Sequence, residues 1–240
     1  MNFNFSFGRV EKKNLSFEEL CEASGYFKPF PLQVKMKDFL IYTKGIHLLL
    51  GARKYGKTDY AVIMGCAEAL LNNNDLKILL ITKEKDRGRD LVKEVRQALI
   101  KQGVKFRNRS ESVLRLSGTK GKEPNLDCLS VRSRGFRGRH PDIVIMEDPI
   151  TPDDDSETER SRVKKIYDEV IKLTHNVGIV GQPVHKLDLY QQLRKIVNTM
   201  EVKHGSIPEL DADIDAERAA GVDEFSIQAS YFLNIMDSLE

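Results

Sequence analysis

Short apolar runs alternate with longer stretches of mixed polarity along most of this chain of 240 residues. Four of the runs have the length of a buried strand: 46–50, 77–82, 143–146 and 177–180. A strand that is apolar at successive positions must be covered on both faces, which is the usual situation in a parallel sheet. The pattern therefore predicts an α/β fold, with a mostly parallel sheet and helices on both faces.

Apolar residues three and four positions apart predict the helices that connect these strands. The predicted helical segments are 60–71, 87–101, 156–173 and 187–197. Ser156 and Glu159 have the spacing of a capping box, which would start the third of these helices. Two weaker β-like runs, 112–116 and 126–131, are separated by turn-forming glycine and proline residues, and they predict a hairpin with a long basic tip.

The composition is that of a soluble globular protein, with 40% hydrophobic and 31% charged residues. No apolar run approaches the roughly 20 residues of a membrane span. The first eight residues lack the basic start and apolar block of a signal peptide, so we expect no membrane partner. Three widely spaced cysteines, Cys21, Cys66 and Cys128, are expected to be reduced, structural thiols.

Charge is distributed unevenly along the chain. The net charge is only +2, but residues 101–139 contain eleven Lys and Arg against three Asp and Glu, whereas residues 209–224 are acidic. A run of like charge is usually a solvated face. Asymmetry on this scale favours a polyanionic partner on one side of the molecule.

The most informative pattern lies at the end of the first predicted strand. Residues 51–58 read Gly-Ala-Arg-Lys-Tyr-Gly-Lys-Thr, which matches the G-x-x-x-x-G-K-[ST] phosphate-binding loop. The backbone N–H groups of such a loop and the N-terminus of the helix that follows surround phosphate oxygens. Lys57 would contact the β- and γ-phosphates, and the Thr58 hydroxyl would ligate magnesium. A glycine turn with a surface lysine is the alternative, and the flanking strand and helix favour the phosphate-binding loop.

A phosphate-binding loop needs a carboxylate partner on a neighbouring strand. The predicted strand 143–146 is followed by Glu147 and Asp148, at the carboxyl end where ligands bind in open α/β sheets. Two adjacent carboxylates pack poorly, which favours a magnesium-linked role over a polar strand end that caps the next turn. Asp142, at the opposite end of this strand, is expected to be a surface or turn residue.

Taken in order, these motifs resemble the ATPase domain of bacteriophage large terminases, the motors that package viral DNA. Residues 30–33, Phe-Pro-Leu-Gln, resemble the glutamine motif that contacts adenine. Arg53 inside the phosphate-binding loop is similar to the terminase form. Residues 137–142, Arg-Gly-Arg-His-Pro-Asp, resemble the approach to the acidic strand, and residues 181–185, Gly-Gln-Pro-Val-His, the coupling motif. The resemblance covers most of the chain from Phe30 onward.

The resemblance implies a RecA-like P-loop NTPase of the ASCE type that uses ATP and Mg²⁺. The implied nucleotide-binding residues are Gln33, Gly51, Ala52, Arg53, Lys54, Tyr55, Gly56, Lys57, Thr58 and Asp59. The implied catalytic residues are Lys57, Arg53, Glu147, Asp148 and Arg137. Thr58 and Glu147 would hold the metal. Gln33 would recognise adenine, and Gln182 would sense the γ-phosphate and couple hydrolysis to movement.

The resemblance also implies the partners and the domain organisation. The implied partners are double-stranded DNA, a portal protein, a small terminase subunit and further copies of the chain in a ring, expected to be a pentamer, in the host cytoplasm. Residues 1–205 would form the ATPase core, with 1–45 as an extension on the adenine side, and residues 206–240 a small lid or linker. We expect no nuclease domain, and we expect Asp211, Asp213 and Asp215 to belong to the lid or linker rather than to a metal site.

Several positions leave alternatives open. The acidic pair reads Glu-Asp where Asp-Glu or Asp-Asp is the family pattern, so the roles of Glu147 and Asp148 are interchangeable on sequence alone. Gln182 stands where threonine is common. Arg137 is the first candidate for an arginine finger that acts on a neighbouring subunit and Arg139 the second, but both also suit a DNA contact or a solvated loop. The functional alternatives are a helicase or recombination ATPase, and a non-hydrolysing nucleotide-dependent assembly switch.

Overall fold

A computed structural model of the chain describes residues 15–108, 110–133, 135–136, 138–151, 156–185 and 187–233, with only the backbone of Phe225. The strands of the described part are β1 (Ile46–Gly51), β2 (Ile78–Thr82), β3 (Val113–Leu114), β4 (Leu126–Ser130), β5 (Ile143–Glu147), β6 (Val177–Gly181) and β7 (Asn198–Val202). They form one sheet in the order β3-β4-β2-β5-β6-β1-β7. The β3–β4 pair is antiparallel and the other pairs are parallel, which confirms the predicted mostly parallel α/β sheet.

Helices connect most of these strands. They are α1 (Phe17–Ala23), α2 (Pro31–Tyr42), α3 (Gly65–Asn72), α4 (Lys85–Lys101), α5 (Glu157–Val170), α6 (Leu189–Leu193), α7 (Ile214–Ala219) and α8 (Glu224–Ile227). A π-helical segment, Lys57–Met64, leads directly into α3, and a second one, Gln228–Phe232, follows α8. None of the described helices is long and apolar enough to cross a membrane.

Successive strand residues pack into two separate cores, one on each face of the sheet. Leu49, Leu80 and Ile145 belong to the core that includes α2 and α4. Their neighbours Leu48 and Val144 belong to the core that includes α5 and α6. Helices therefore cover both faces, as the continuous apolar runs predicted.

Two predicted helices end earlier in the structure than the sequence pattern indicated. The Ser156 hydroxyl accepts a hydrogen bond from the Glu159 amide at 3.2 Å and starts α5, which ends at Val170 rather than at residue 173. The segment predicted as helix 187–197 contains only the short α6, and β7 follows it. Ile196 is 75% exposed, so the apolar spacing that extended the predicted helix does not mark a packed face.

The predicted hairpin is present, and two arginines bind backbone carbonyls at its tip. β3 pairs antiparallel with β4. Arg107 donates to the Thr119 carbonyl at 2.5 Å, and Arg115 donates to the Lys122 carbonyl. Two of the arginines in residues 101–139 therefore also have a structural role.

Candidate nucleotide-binding and hydrolysis site

The loop that follows β1 has the backbone of a phosphate-binding loop. Lys54 and Gly56 both have left-handed backbone angles, with φ of 66° and 75°, and the chain becomes helical at Lys57. A Cβ atom at Gly56 would lie 2.6 Å from Tyr60 Cδ2 and 2.7 Å from Gln33 Nε2, so only glycine fits. The two reversals fold the chain back over the end of β1 and leave the helix N-terminus directed at the resulting concavity.

Lys57 lies inside this loop. Its side chain is buried, and its Nζ donates to the carbonyl oxygens of Gly51 at 2.6 Å and Ala52 at 2.9 Å. Burial lowers the pKa of Lys57 to about 8. The ammonium group is therefore held by neutral acceptors. A phosphate oxygen is charged and would be a stronger acceptor in their place.

A hydrogen bond joins the loop to the acidic strand. The Thr58 hydroxyl donates to Glu147 Oε1 at 2.8 Å across 89 residues of sequence. Glu147 is only 2% exposed, and its Oε2 has no hydrogen-bond partner among the described residues. A hydroxyl and a carboxylate are the hard oxygen ligands that Mg²⁺ prefers, and the unpartnered oxygen leaves the carboxylate with a free ligand atom. The predicted metal-site residues therefore fit magnesium.

Asp148 turns out of β5 with an unusual backbone. Its φ is 39°, a left-handed angle that is strained for aspartate, and its amide donates to the Val180 carbonyl at 3.0 Å. Burial, followed by the neighbouring charge of Glu147, raises the pKa of Asp148 to about 6. A carboxyl group with a pKa close to neutral is suited to accept a proton from water.

The sheet order places the predicted coupling residue between the other two parts of the site. β6 lies between β1 and β5, and neighbouring strands are about 4.8 Å apart. Gln182 follows β6, is half-buried, and its side chain makes no hydrogen bond to the described residues. The buried Asp188 carboxylate fixes the next turn by accepting from the amides of Val184 at 2.9 Å and His185 at 3.1 Å. Gln182 is thus placed between the phosphate-binding loop and the carboxylate pair.

Two further nucleotide-site predictions, Gln33 and Arg53, have different surroundings. Gln33 is buried in the first turn of α2, where its Oε1 accepts from the Phe30 amide at 2.9 Å and its Nε2 donates to the Tyr55 carbonyl at 3.1 Å. It fixes α2 against the loop, and adenine recognition by Gln33 stays a prediction. The Arg53 side chain is exposed and makes no hydrogen bond or ion pair with the described residues, while its amide donates to the Ser230 carbonyl at 3.1 Å.

A contact that sequence reasoning missed joins the loop to the C-terminal segment. The Tyr55 hydroxyl donates to Asp211, whose carboxylate also accepts from the Gly205 amide at 3.0 Å. Asp213 caps α7, and Asp215 pairs with Arg218. In the described part of the chain, no group of three or more His, Cys, Asp or Glu side chains is placed to hold a metal ion.

Of the two candidate finger arginines, the structure describes only Arg139. Arg137 lies outside the described residues. Arg139 forms an ion pair with Asp127 of β4, and its Nε donates to the Gly135 carbonyl at 2.8 Å. Asp127 is the second residue of β4, so this pair lies toward the amino ends of the parallel strands. The phosphate-binding loop lies at the carboxyl ends of the strands. Arg139 is therefore at the opposite end of the strands from the nucleotide site of its own chain.

Another missed residue is Arg87 in the first turn of α4. Its Nη2 lies 3.1 Å from Glu147 Oε1, the oxygen that also accepts from Thr58. Its position could be found only from the sheet order, because β2, which precedes α4, is the neighbour of β5.

Comparison with known proteins supports the fold. No protein-family model matches the chain, and no curated protein sequence matches it. A mutant ATPase domain of the Thermus phage P74-26 large terminase is similar with a TM-score of 0.64 at 13% identity, over 90% of this chain and 97% of that one. The HK97 bacteriophage large terminase is similar with a TM-score of 0.55 at 15% identity, over 88% of this chain and 50% of that one.

A third similar structure is the large terminase of a thermophilic bacteriophage in complex with ATP-γ-S. Its TM-score is 0.60 at 10% identity, over 86% of this chain and 52% of that one. The chain spans about half the length of these two terminases and nearly all of the P74-26 domain. It has the RecA-like P-loop fold of large-terminase ATPase domains, which confirms the predicted resemblance at the level of fold.

Proposed function

We propose that this chain is the ATPase domain of a DNA-packaging motor, and that it hydrolyses ATP to move double-stranded viral DNA into a procapsid. The observation that carries the proposal is the 2.8 Å hydrogen bond from Thr58 to Glu147, which joins a phosphate-binding loop to an acidic strand. The terminase-like fold around that bond favours a packaging ATPase over other classes of P-loop ATPase. The large terminase of the thermophilic bacteriophage, which shares the fold, binds ATP-γ-S.

Each side chain of the site has a chemical role in this proposal. Lys57 and Arg53 would bind the β- and γ-phosphate oxygens together with the loop amides. Thr58 and Glu147 would hold magnesium, which supplies positive charge to the phosphate oxygens when it is bound. Asp148 would accept a proton from the attacking water. Gln182 would report the presence of the γ-phosphate, because it lies between the two halves of the site.

The uneven charge of the chain supports the proposed DNA contact, and the resemblance to large terminases supports the proposed ring. Lys105, which precedes the basic hairpin, and Lys120 and Lys122 at its tip are exposed and are suited to contact the DNA backbone without reading its sequence. Arg137 would complete the site of a neighbouring subunit in a homo-oligomeric ring, which we expect to be a pentamer. A portal protein and a small terminase subunit would be the further partners at the procapsid, in the host cytoplasm.

ATPase rate measured against protein concentration, with and without duplex DNA, tests the proposal. We expect the rate per subunit to rise steeply with concentration, because each site would need an arginine from its neighbour, and to rise further with DNA. A rate per subunit that is constant with concentration would exclude completion of the site in trans. Absence of hydrolysis under every condition, with nucleotide binding retained, would favour the assembly switch instead.

A further inference from the structure

The start of α4 is held directly over the metal-site carboxylate. Thr82, the last residue of β2, is the register partner of Glu147 in β5. A Cβ atom at Gly88 would lie 3.0 Å from Thr82 Oγ1 and 3.1 Å from Cys128 Cβ, so the glycine lets the first turn of α4 approach the sheet closely. This approach brings Arg87, the residue before that glycine, within reach of Glu147.

One carboxylate oxygen has two donors. Glu147 Oε1 accepts from the Thr58 hydroxyl at 2.8 Å and from Arg87 Nη2 at 3.1 Å, whereas Oε2 is buried without a partner in the described residues. Arg87 is 46% exposed and Glu147 only 2%. A buried carboxylate is strongly destabilised without a positive partner, and Arg87 is the cation that contacts Glu147 directly among the described residues.

A divalent cation at Thr58 and Glu147 would supply the same positive charge from the other side. The guanidinium group and the cation would then lie a few ångströms apart and repel each other. A single and a double positive charge about 6 Å apart repel enough, even in water-like surroundings, to change a binding constant about tenfold.

We propose that Arg87 is a positioning residue that acts as a displaceable counter-ion: it orients the Glu147 carboxylate, and it leaves Glu147 when the metal binds. The inference rests on the proposed function, because it assumes that Thr58 and Glu147 bind the divalent cation that accompanies the nucleotide. The partly exposed guanidinium can move into solvent without disrupting the core.

Manganese binding tests this role without relying on turnover. The affinity for Mn²⁺ in the presence of ATP-γ-S would be measured by electron paramagnetic resonance for the wild-type protein, Arg87→Gln and Arg89→Gln. Arg89 is the matched control, since it is on the same turn of α4, is 42% exposed and pairs with Asp86. We expect Arg87→Gln to bind Mn²⁺ about tenfold more tightly and Arg89→Gln to bind it as the wild type does.

A second measurement separates this inference from the proposed function. Without metal and nucleotide, the thermal midpoint of Arg87→Gln should lie below that of the wild type, and Mn²⁺ with ATP-γ-S should close the difference. An unchanged or weaker Mn²⁺ affinity in Arg87→Gln would overturn the counter-ion role. If the wild-type protein does not bind Mn²⁺ with ATP-γ-S at all, the proposed ATPase function itself is wrong.

Discussion

The hydroxyl of Tyr55, in the middle of the phosphate-binding loop, donates a hydrogen bond to Asp211, which lies 156 residues later in the chain. Lys54, the preceding loop residue, forms an ion pair with Glu217 at 3.6 Å. The Glu217 carboxylate also accepts from the Tyr231 hydroxyl at 2.5 Å. Side chains of the nucleotide loop and of the C-terminal segment are therefore joined at two points, so a change in one can alter the other.

Removing the Tyr55 hydroxyl should loosen this connection. We expect Tyr55→Phe to lower the free energy of unfolding by about 1–2 kcal/mol, because a buried hydroxyl loses a charged acceptor while the ring still packs. Urea unfolding would measure the loss. Asp215→Asn is the control, since Asp215 is 91% exposed and pairs only at the surface. Equal stability of Tyr55→Phe and the wild type would show that this contact does not contribute.

The Thr58–Glu147 hydrogen bond predicts coupled effects on magnesium. Thr58→Ala and Glu147→Gln should each raise the magnesium concentration for half-maximal ATP hydrolysis by about tenfold or more, because the first removes an oxygen ligand and the second replaces a charged carboxylate ligand with a neutral amide. In the double variant, this magnesium concentration should rise by a factor smaller than the product of the two single factors, because the two residues share one site. Titration of ATPase activity with Mg²⁺ measures all three. If the factor for the double variant equals the product of the two single factors, the two side chains act independently.

The shifted pKa values predict a bell-shaped pH profile for kcat/KM, which reports the free enzyme. Asp148 must be deprotonated to accept a proton, so activity should rise with pH through about 6. Lys57 must be protonated to bind phosphate, so activity should fall as pH rises through about 8. Asp148→Asn should lower kcat by about 10²–10⁴-fold and remove the acidic limb. Retention of that limb in Asp148→Asn would assign it to another group, and Asp168→Asn, on the surface of α5, is the control.

The parts of the site that are contiguous in sequence could be predicted. The phosphate-binding loop and the Glu147–Asp148 pair each occupy a single stretch, with the strand and helix that their chemistry needs on either side. The turn after β6 was found for the same reason. A local pattern also predicted most strands within one or two residues, because buried strands are apolar on both faces.

Contacts that depend on the order of strands could not be predicted. Nothing in the sequence near Arg87 indicates that β2 lies beside β5, and the pair with Glu147 follows only from that arrangement. The Tyr55–Asp211 bond joins residues that are 156 positions apart in the chain. β7 was missed because Asn198–Val202 is an edge strand of mixed polarity, next to an exposed Ile196 that mimics helical spacing.

The contacts of Arg139 with Asp127 and Gly135 distinguish it from Arg137, the proposed trans-acting arginine. Asp127 and the Gly135 carbonyl hold Arg139 near the amino ends of the strands. Because this ion pair is partly exposed, Arg139→Ala should lower the free energy of unfolding by about 1–2 kcal/mol.

Arg137→Ala should fold normally but lose ATP turnover, and Lys57→Ala should do the same. A mixture of the Arg137→Ala and Lys57→Ala proteins should recover ATPase activity. In mixed rings, some interfaces combine an intact Lys57 from one subunit with an intact Arg137 from its neighbour, and for equal amounts these are about a quarter of all interfaces. An inactive mixture, or an active Arg137→Ala protein alone, would exclude Arg137 as a residue that acts in trans.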